Sequence, residues 1–341
     1  MPGAVPGLGK SDGGWNMEAL MMLKMRPQTV VLNNKHKFGA KPPAGALGEF
    51  LRLIPDAAGK SIRMALEGRS SGGSHRPNWL AKAMDIRFSG QKGEGGQTIL
   101  TFESYRLIDV APGIFDQKEL FPARPDPALT GMDLFSQAVG DIAGENRDSI
   151  RFDTPLLREI VRFRKALDGV FIAAEFHGSA RTPRRRLAVA TLTPEVLSIA
   201  DRMCCETPPE QVARIAGKLD MARVSSRAFA LALSDGGEAR GILIQGDLAD
   251  YRHLLGKAVV ATGTAFFRPS GRLLRIDAAE VRPASETDAF FSKLPKPRAA
   301  GGTKSAPALL APAGRGVAGI FGQWPGDESD SEIEVALREI G

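Results

Sequence analysis

Between Pro209 and Pro283 the chain repeats one pattern, an extended run ended by a turn, and this leaves few folds open. Val212–Val224 is the first such run. In Ser226–Leu233, Arg227, Phe229, Leu231 and Leu233 alternate with Ala228, Ala230 and Ala232, the period of two that marks a strand with one buried face. Asp235-Gly236-Gly237 then supplies residues that accept the positive φ of a tight hairpin turn. Glu238–Gln245 is a third strand, and Gly246-Asp247 opens a short helix, Leu248–Leu255, that Gly256 stops. Lys257–Phe267 and Arg272–Val281, joined by Arg268-Pro269-Ser270-Gly271, are the fourth and fifth strands. Strands in the order β-β-β-α-β-β predict a small closed Greek-key barrel.

The rest of the 341 residues has room for a second domain with its own core. Residues 1–28 open with a Gly- and Pro-rich stretch and read as disordered. From 29 to 205 strands and helices come in groups without strict alternation, which predicts an α+β domain. Ala46–Ile54 reads as a short helix and Ser61–Glu67, with Ile62, Met64 and Leu66 alternating, as a strand. Met84–Ser89 and Thr98–Leu107 read as two strands joined through Gln91–Gly96. Met132, Phe135, Val139 and Ile142 fall at helical spacing. So do Leu156, Ile160, Phe163 and Leu167, behind Asp153 or Thr154 as cap and Pro155 in the first turn. Val170–Phe176 and Leu187–Leu192 return to strand, and Thr193-Pro194 opens a helix to about Cys205. The barrel occupies 206–285, a linker rich in Pro, Ala, Gly and Ser spans 286–315, and a tail of different character fills 316–341.

Reactive chemistry finds little footing. Ala4–Ser11 matches a loose phosphate-binding loop but has no strand before it, and Ser11-Asp12-Gly13-Gly14 breaks any helix after it. Gly68-Arg69-Ser70-Ser71-Gly72 matches a nucleophile elbow, but a loop, not a helix, follows the serine. The histidines, His36, His75, His177 and His253, stand far apart, and Cys204-Cys205 has no second pair to complete a zinc site. The expectation is a protein that is not an enzyme and carries no cofactor or metal. Adjacent cysteines, and no run of about 18 apolar residues, point to a cytoplasmic setting.

The net charge of +6 permits an anionic partner without requiring one. Residues 209–283 look like an OB-type barrel, and such a barrel can bind single strands through aromatic rings ringed by cations. Phe266 and Phe267 point to opposite sides, so one of them is the candidate platform. Arg240, Arg268, Arg272 and Arg275 are the available cations. Arg181, Arg184, Arg185 and Arg186 form the densest basic cluster, suited to phosphate contacts. Nucleic-acid binding through these residues is the alternative reading.

The first reading is protein binding through the tail. Ser329 and Glu332 form a capping box, Asp327, Glu328 and Asp330 favour the helix N-terminus, and Ile333, Ala336, Leu337 and Ile340 line one face. A helix of about 11 residues needs a surface to cover that face, and Phe321 and Trp324 stand upstream as anchors. Trp324-Pro325-Gly326-Asp327-Glu328 followed by Ile333 and Leu337 resembles the C-terminal ends of antitoxins encoded beside PIN-domain ribonuclease toxins. The resemblance covers about 20 residues. It implies a tail that wraps the toxin and blocks its carboxylate-lined, metal-dependent site, with Arg338 as the basic residue that reaches those carboxylates. It therefore implies a protein partner of PIN type, held by Phe321, Trp324, Asp327, Glu328, Ile333, Leu337, Arg338 and Ile340.

Overall fold

The computed structural model describes residues 25–38, 41–72, 77–115, 125–178, 181–182, 185–186, 188–223 and 226–297. The chain divides into two units, Met1–Arg298 and Ala299–Gly341, and every described residue belongs to the first. The loop-like segment 4–11, Arg184 and the tail 316–341 lie outside the described residues.

The first lobe is built on β1 (Arg26–Asn34), which starts inside the stretch assigned to a disordered N-terminus. It is the central strand of a five-stranded sheet in the order β2-β3-β1-β4-β7. Here β2 is Arg87–Glu94, β3 Gln97–Ser104, β4 Phe171–His177 and β7 Ala190–Leu192. Every pairing in the sheet is antiparallel. The hairpin between β2 and β3 is tighter than its composition suggested: Gln91–Glu94 continue the strand, and only Gly95 and Gly96, at φ 57° and 88°, make the turn. A separate two-stranded ribbon, β5 (Arg181–Thr182) with β6 (Arg185–Arg186), fills the connection from β4 to β7.

Antiparallel register puts Leu100, Val30 and Phe176 side by side, and Thr98, Leu32, Ala174 and Leu192 in the next row. Helices cover that face. They are α1 (Ala44–Glu67), α2 (Gly131–Ala143), α3 (Thr154–Val161), α4 (Phe163–Leu167) and α5 (Pro194–Glu206). Phe50, Phe135, Phe163 and Phe176 meet in their core with ring centroids 5.1–6.4 Å apart. The caps are where short polar side chains predict them. Thr130 makes a reciprocal capping box with Asp133 on α2, Asp153 accepts from Leu156 N on α3, and Thr193 accepts from Val196 N on α5.

Two expectations fail in α1. The short helix Ala46–Ile54 and the strand Ser61–Glu67 are one helix of 24 residues running through Pro55. Its N-terminal half packs Phe50, Leu53, Ile54 and Ala57 into the main core. Its C-terminal half sets Ile62 and Leu66 against Leu80, Leu107 and Leu134 in a second cluster. The buried positions Phe50, Leu53, Ile54, Ala57, Ala58, Ser61 and Ile62 keep helical spacing across Pro55, while Met64 adds a buried position between Ile62 and Leu66, so that those three taken alone mimic a strand.

The second lobe is a closed five-stranded barrel, formed by β8 (Gln211–Arg223), β9 (Ala228–Ala232), β10 (Glu238–Leu243), β11 (Ala258–Phe267) and β12 (Leu273–Pro283). Neighbours run β10-β12-β11-β8-β9 and back to β10. All pairs are antiparallel except β10 with β12, which are parallel. Phe229, Leu231 and Leu233 point into the core, as their phase predicts, and of the pair Phe266 and Phe267 it is Phe267 that joins them. The helix expected between β10 and β11 is a 3₁₀ turn, Leu248–Leu254, whose two end leucines seal the barrel.

Closure depends on two glycines. A Cβ on Gly263, at a register shift in β11, would stand 2.1 Å from the Asp277 carbonyl oxygen. On Gly241 it would stand 2.2 Å from the Phe229 ring. Beyond the barrel, Glu286–Phe291, assigned by composition to the linker, forms a second 3₁₀ turn, with Arg214 of β8 over the Phe291 ring at 5.8 Å. Its Asp288 accepts two hydrogen bonds from Arg282 at 2.7 and 2.8 Å, and others from the Ser285 amide and hydroxyl.

Gly263→Ala should therefore destabilise the protein by about 1–3 kcal/mol, because backbone, not a flexible side chain, blocks the new methyl. Thermal unfolding checks this, and an unchanged transition would contradict it. The Arg282 bonds, aided by Ser285, hold the Asp288 carboxyl far below its ordinary value. A depressed carboxyl stabilises the folded state above its unfolded pKa of about 3.9, and that contribution fades as pH falls further toward the folded value. Asp288→Asn should thus lower the melting temperature at pH 6. The gap to wild type should shrink steadily below about pH 4.

Candidate binding cleft between barrel and sheet lobe

A cleft of about 840 Å³ separates the outer face of β8, β9 and β10 from the C-terminal end of α1, from α2 and from the loop 146–151. Its floor is apolar, with Met64, Leu134, Ile242 and Leu274 all buried. Its rim is charged on both sides. Arg151 of the sheet lobe pairs with Asp141 at 2.7 Å, and Arg240 of the barrel pairs with Glu238 at 2.6 Å. Glu67, at the end of α1, faces Arg63 and Arg69, but burial outweighs them and pushes its carboxyl up.

One side of the cleft is closed by contacts from β12 and the β11–β12 turn. Asp153, which caps α3, accepts from the Ser70 amide at 3.0 Å, from the Ser70 hydroxyl, and from Arg275 Nη1 at 3.4 Å. Arg275 and Asp153 are buried, with 5% and 4% of their side chains exposed. The same guanidinium donates through Nε to Asp277 at 2.8 Å and lies 4.1 Å from the centre of the Phe266 ring. Nearer solvent, Asp148 takes three contacts from the turn. Arg268 Nη1 donates to its carbonyl at 2.9 Å, Ser270 Oγ to its carboxylate at 2.5 Å, and Arg272 Nη1 lies 3.3 Å from that carboxylate. Burial pushes the Arg268 guanidinium down.

The barrel residues singled out as phosphate readers thus hold the molecule together. Arg268, Arg272 and Arg275 bind the sheet lobe, and Arg240 binds its own strand neighbour. Phe267 is core, and Phe266 lies under the Arg275 guanidinium. The backbone pairs Arg181 with Arg186 in the ribbon of the sheet lobe, a different lobe from the barrel cations. Arg184 and all the tail residues, Phe321 to Ile340, lie outside the described residues.

Sequence reasoning passed over Asp148 and considered Ser70 only as the serine of a rejected nucleophile-elbow match. The segment around Ser70 follows a helix, not a strand, and its hydroxyl serves as a donor to a capping carboxylate. Asp153 had a visible signal, the Asp-Thr-Pro start of a helix, but only as a cap. Among the described residues no group of three or more His, Cys, Asp or Glu side chains could hold a metal ion. No described helix is long and apolar enough to cross a membrane. No family model, no curated protein and no solved structure matches the chain.

Asp153→Ala removes the weaker of two carboxylates from a buried guanidinium that keeps Asp277, and takes their acceptor from Ser70 and α3. It should cost about 2–3 kcal/mol, above the ~1 kcal/mol of a lost cap alone. Denaturant unfolding distinguishes these values. A loss near 1 kcal/mol would show that Arg275 contributes only a cap-sized share.

Proposed function

We propose that the chain is a non-enzymatic binding protein. The two lobes serve as a scaffold, and residues 316–341 fold onto a protein partner, most concretely a PIN-type ribonuclease toxin that the tail neutralises. The observation that carries this reading over nucleic-acid binding is the engagement of the barrel arginines. Arg240, Arg268, Arg272 and Arg275 are matched by Glu238, Asp148, Asp153 and Asp277, and the Phe266 ring is covered by Arg275. A base-stacking platform needs an open ring and cations able to turn toward phosphate.

The tail has the properties of a helix-in-groove ligand: aromatic anchors at Phe321 and Trp324, a capping box, and an apolar face at Ile333, Leu337 and Ile340. Asp327 and Glu328 favour the helix N-terminus, and Arg338 is the residue to meet an acidic active site. The barrel itself is best read as OB-type. Support comes from the strand order β8-β9-β10-β12-β11 and the parallel β10–β12 pair. In this reading it acts as a rigid carrier.

The decisive experiment looks for a small PIN-type reading frame beside this protein's gene, whose absence would count against the reading, and measures inhibition of its product by the full chain and by a chain ending at Arg315. The full chain should inhibit and the truncated chain should not. Trp324→Ala in the full chain should weaken binding by at least ~30-fold, as loss of a 2 kcal/mol anchor does. Equal inhibition by the truncated chain would sink the proposal. Binding of a single-stranded oligonucleotide at about 50 mM salt, weakening steeply as salt rises, would favour the alternative through Arg181, Arg184, Arg185 and Arg186.

A further inference from the structure

The 3₁₀ turn that follows the barrel holds one aromatic ring out in solvent. Phe290 is 86% exposed, whereas Arg214 lies over the ring of Phe291 beside it. The backbone that carries Phe290 is fastened along its length. Asp288 is bonded to Arg282 and Ser285, Gln211 Nε2 donates to the Lys296 carbonyl at 2.8 Å, and Pro297 lies 3.5 Å from where a Cβ on Gly271 would stand. Val212 and Leu294, 50% and 37% exposed, fall in chain order between the Arg214–Phe291 and Gln211–Lys296 contacts. Arg214, Lys293 and Lys296 are exposed around them, and among the described residues no carboxylate pairs with these three. Of the two acids in 286–297, Asp288 is held by Arg282, which leaves Glu286 alone against three cations.

We propose that Phe290, Leu294 and Val212, with Arg214, Lys293 and Lys296 around them, seat the protein on the surface of an anionic lipid bilayer. A second copy of the chain fits this face poorly, because a twofold contact pairs a patch with itself and would set the three cations against their own images. A stacked nucleic-acid base would use the ring but give Val212 and Leu294 no role. A bilayer boundary uses every part. The ring and its aliphatic neighbours enter the edge of the acyl region, while the long cationic side chains reach lipid phosphates beside them. The fastened backbone means that little order has to be gained on contact. This inference does not depend on the tail.

Sedimentation of the full chain with vesicles tests this. It should co-sediment with vesicles of equal parts phosphatidylglycerol and phosphatidylcholine at about 50 mM salt, not with phosphatidylcholine alone, and about 0.5 M salt should release it. Phe290→Ser should weaken binding roughly tenfold. Lys293→Gln together with Lys296→Gln should weaken it about 25-fold, or about fivefold for each charge. These positions are exposed, so the thermal transition should stay where it is. Arg252→Gln, at an exposed cation of the turn Leu248–Leu254, should leave vesicle binding unchanged. No co-sedimentation at about 50 mM salt would overturn the proposal. Equal binding by Phe290→Ser would overturn it too, because general charge attraction or the tail would then account for the contact. Retention of a single-stranded oligonucleotide but not of vesicles, lost in the same variants, would give the patch to nucleic acid instead.

Discussion

The Asp153 carboxylate is where three parts of the chain meet. It closes the first turn of α3, fastens the loop after α1 through the Ser70 amide and hydroxyl, and receives Arg275 from the barrel. A buried carboxylate and guanidinium are costly to take out of water, and the arrangement holds because every partner is itself a hydrogen-bond donor or acceptor in place. Arg275 has its remaining contacts with Asp277 and the Phe266 ring. The interaction adds little net stability compared with an apolar contact of equal size.

That seating changes what the basic character of the barrel means. Arginines on an outer barrel face suggest phosphate when met in sequence. In the folded molecule their charge is spent on Asp148, Asp153, Asp277 and Glu238, and the ring that could stack bases is already stacked. The cleft they border is balanced in sign and has an apolar floor.

Much of the barrel was legible because most of its strands end in a turn that side-chain chemistry dictates. Asp235-Gly236-Gly237, Gly246-Asp247, Gly256 and Ser270-Gly271 all lie where the chain reverses or caps, with Gly236, Gly246, Gly256 and Gly271 at φ near 80°. Phe229, Leu231 and Leu233 show the inward phase directly. The sheet lobe was less legible. Pro55 and the even spacing of Ile62, Met64 and Leu66 hid a single long helix, although its buried positions from Phe50 to Ile62 keep helical spacing throughout. The central strand β1 offers only a short apolar run at Val30–Leu32, and its place in the sheet comes from β3 and β4, about 70 and 145 residues away in the chain.

By itself the sequence determined most of the barrel's strands, turns and inward faces, and the caps of α3 and α5. These rest on local physics: the φ that glycine permits, the N–H that a Thr or Asp side chain accepts, and the period of two in a strand. Only the tertiary structure decided that α1 is one helix, that Ser70 serves Asp153, and that Arg268, Arg272 and Arg275 belong to an interface. The reason is distance along the chain. A charge or hydroxyl takes its role from partners about 80 to 120 residues away, and no local pattern specifies which of many carboxylates it will meet.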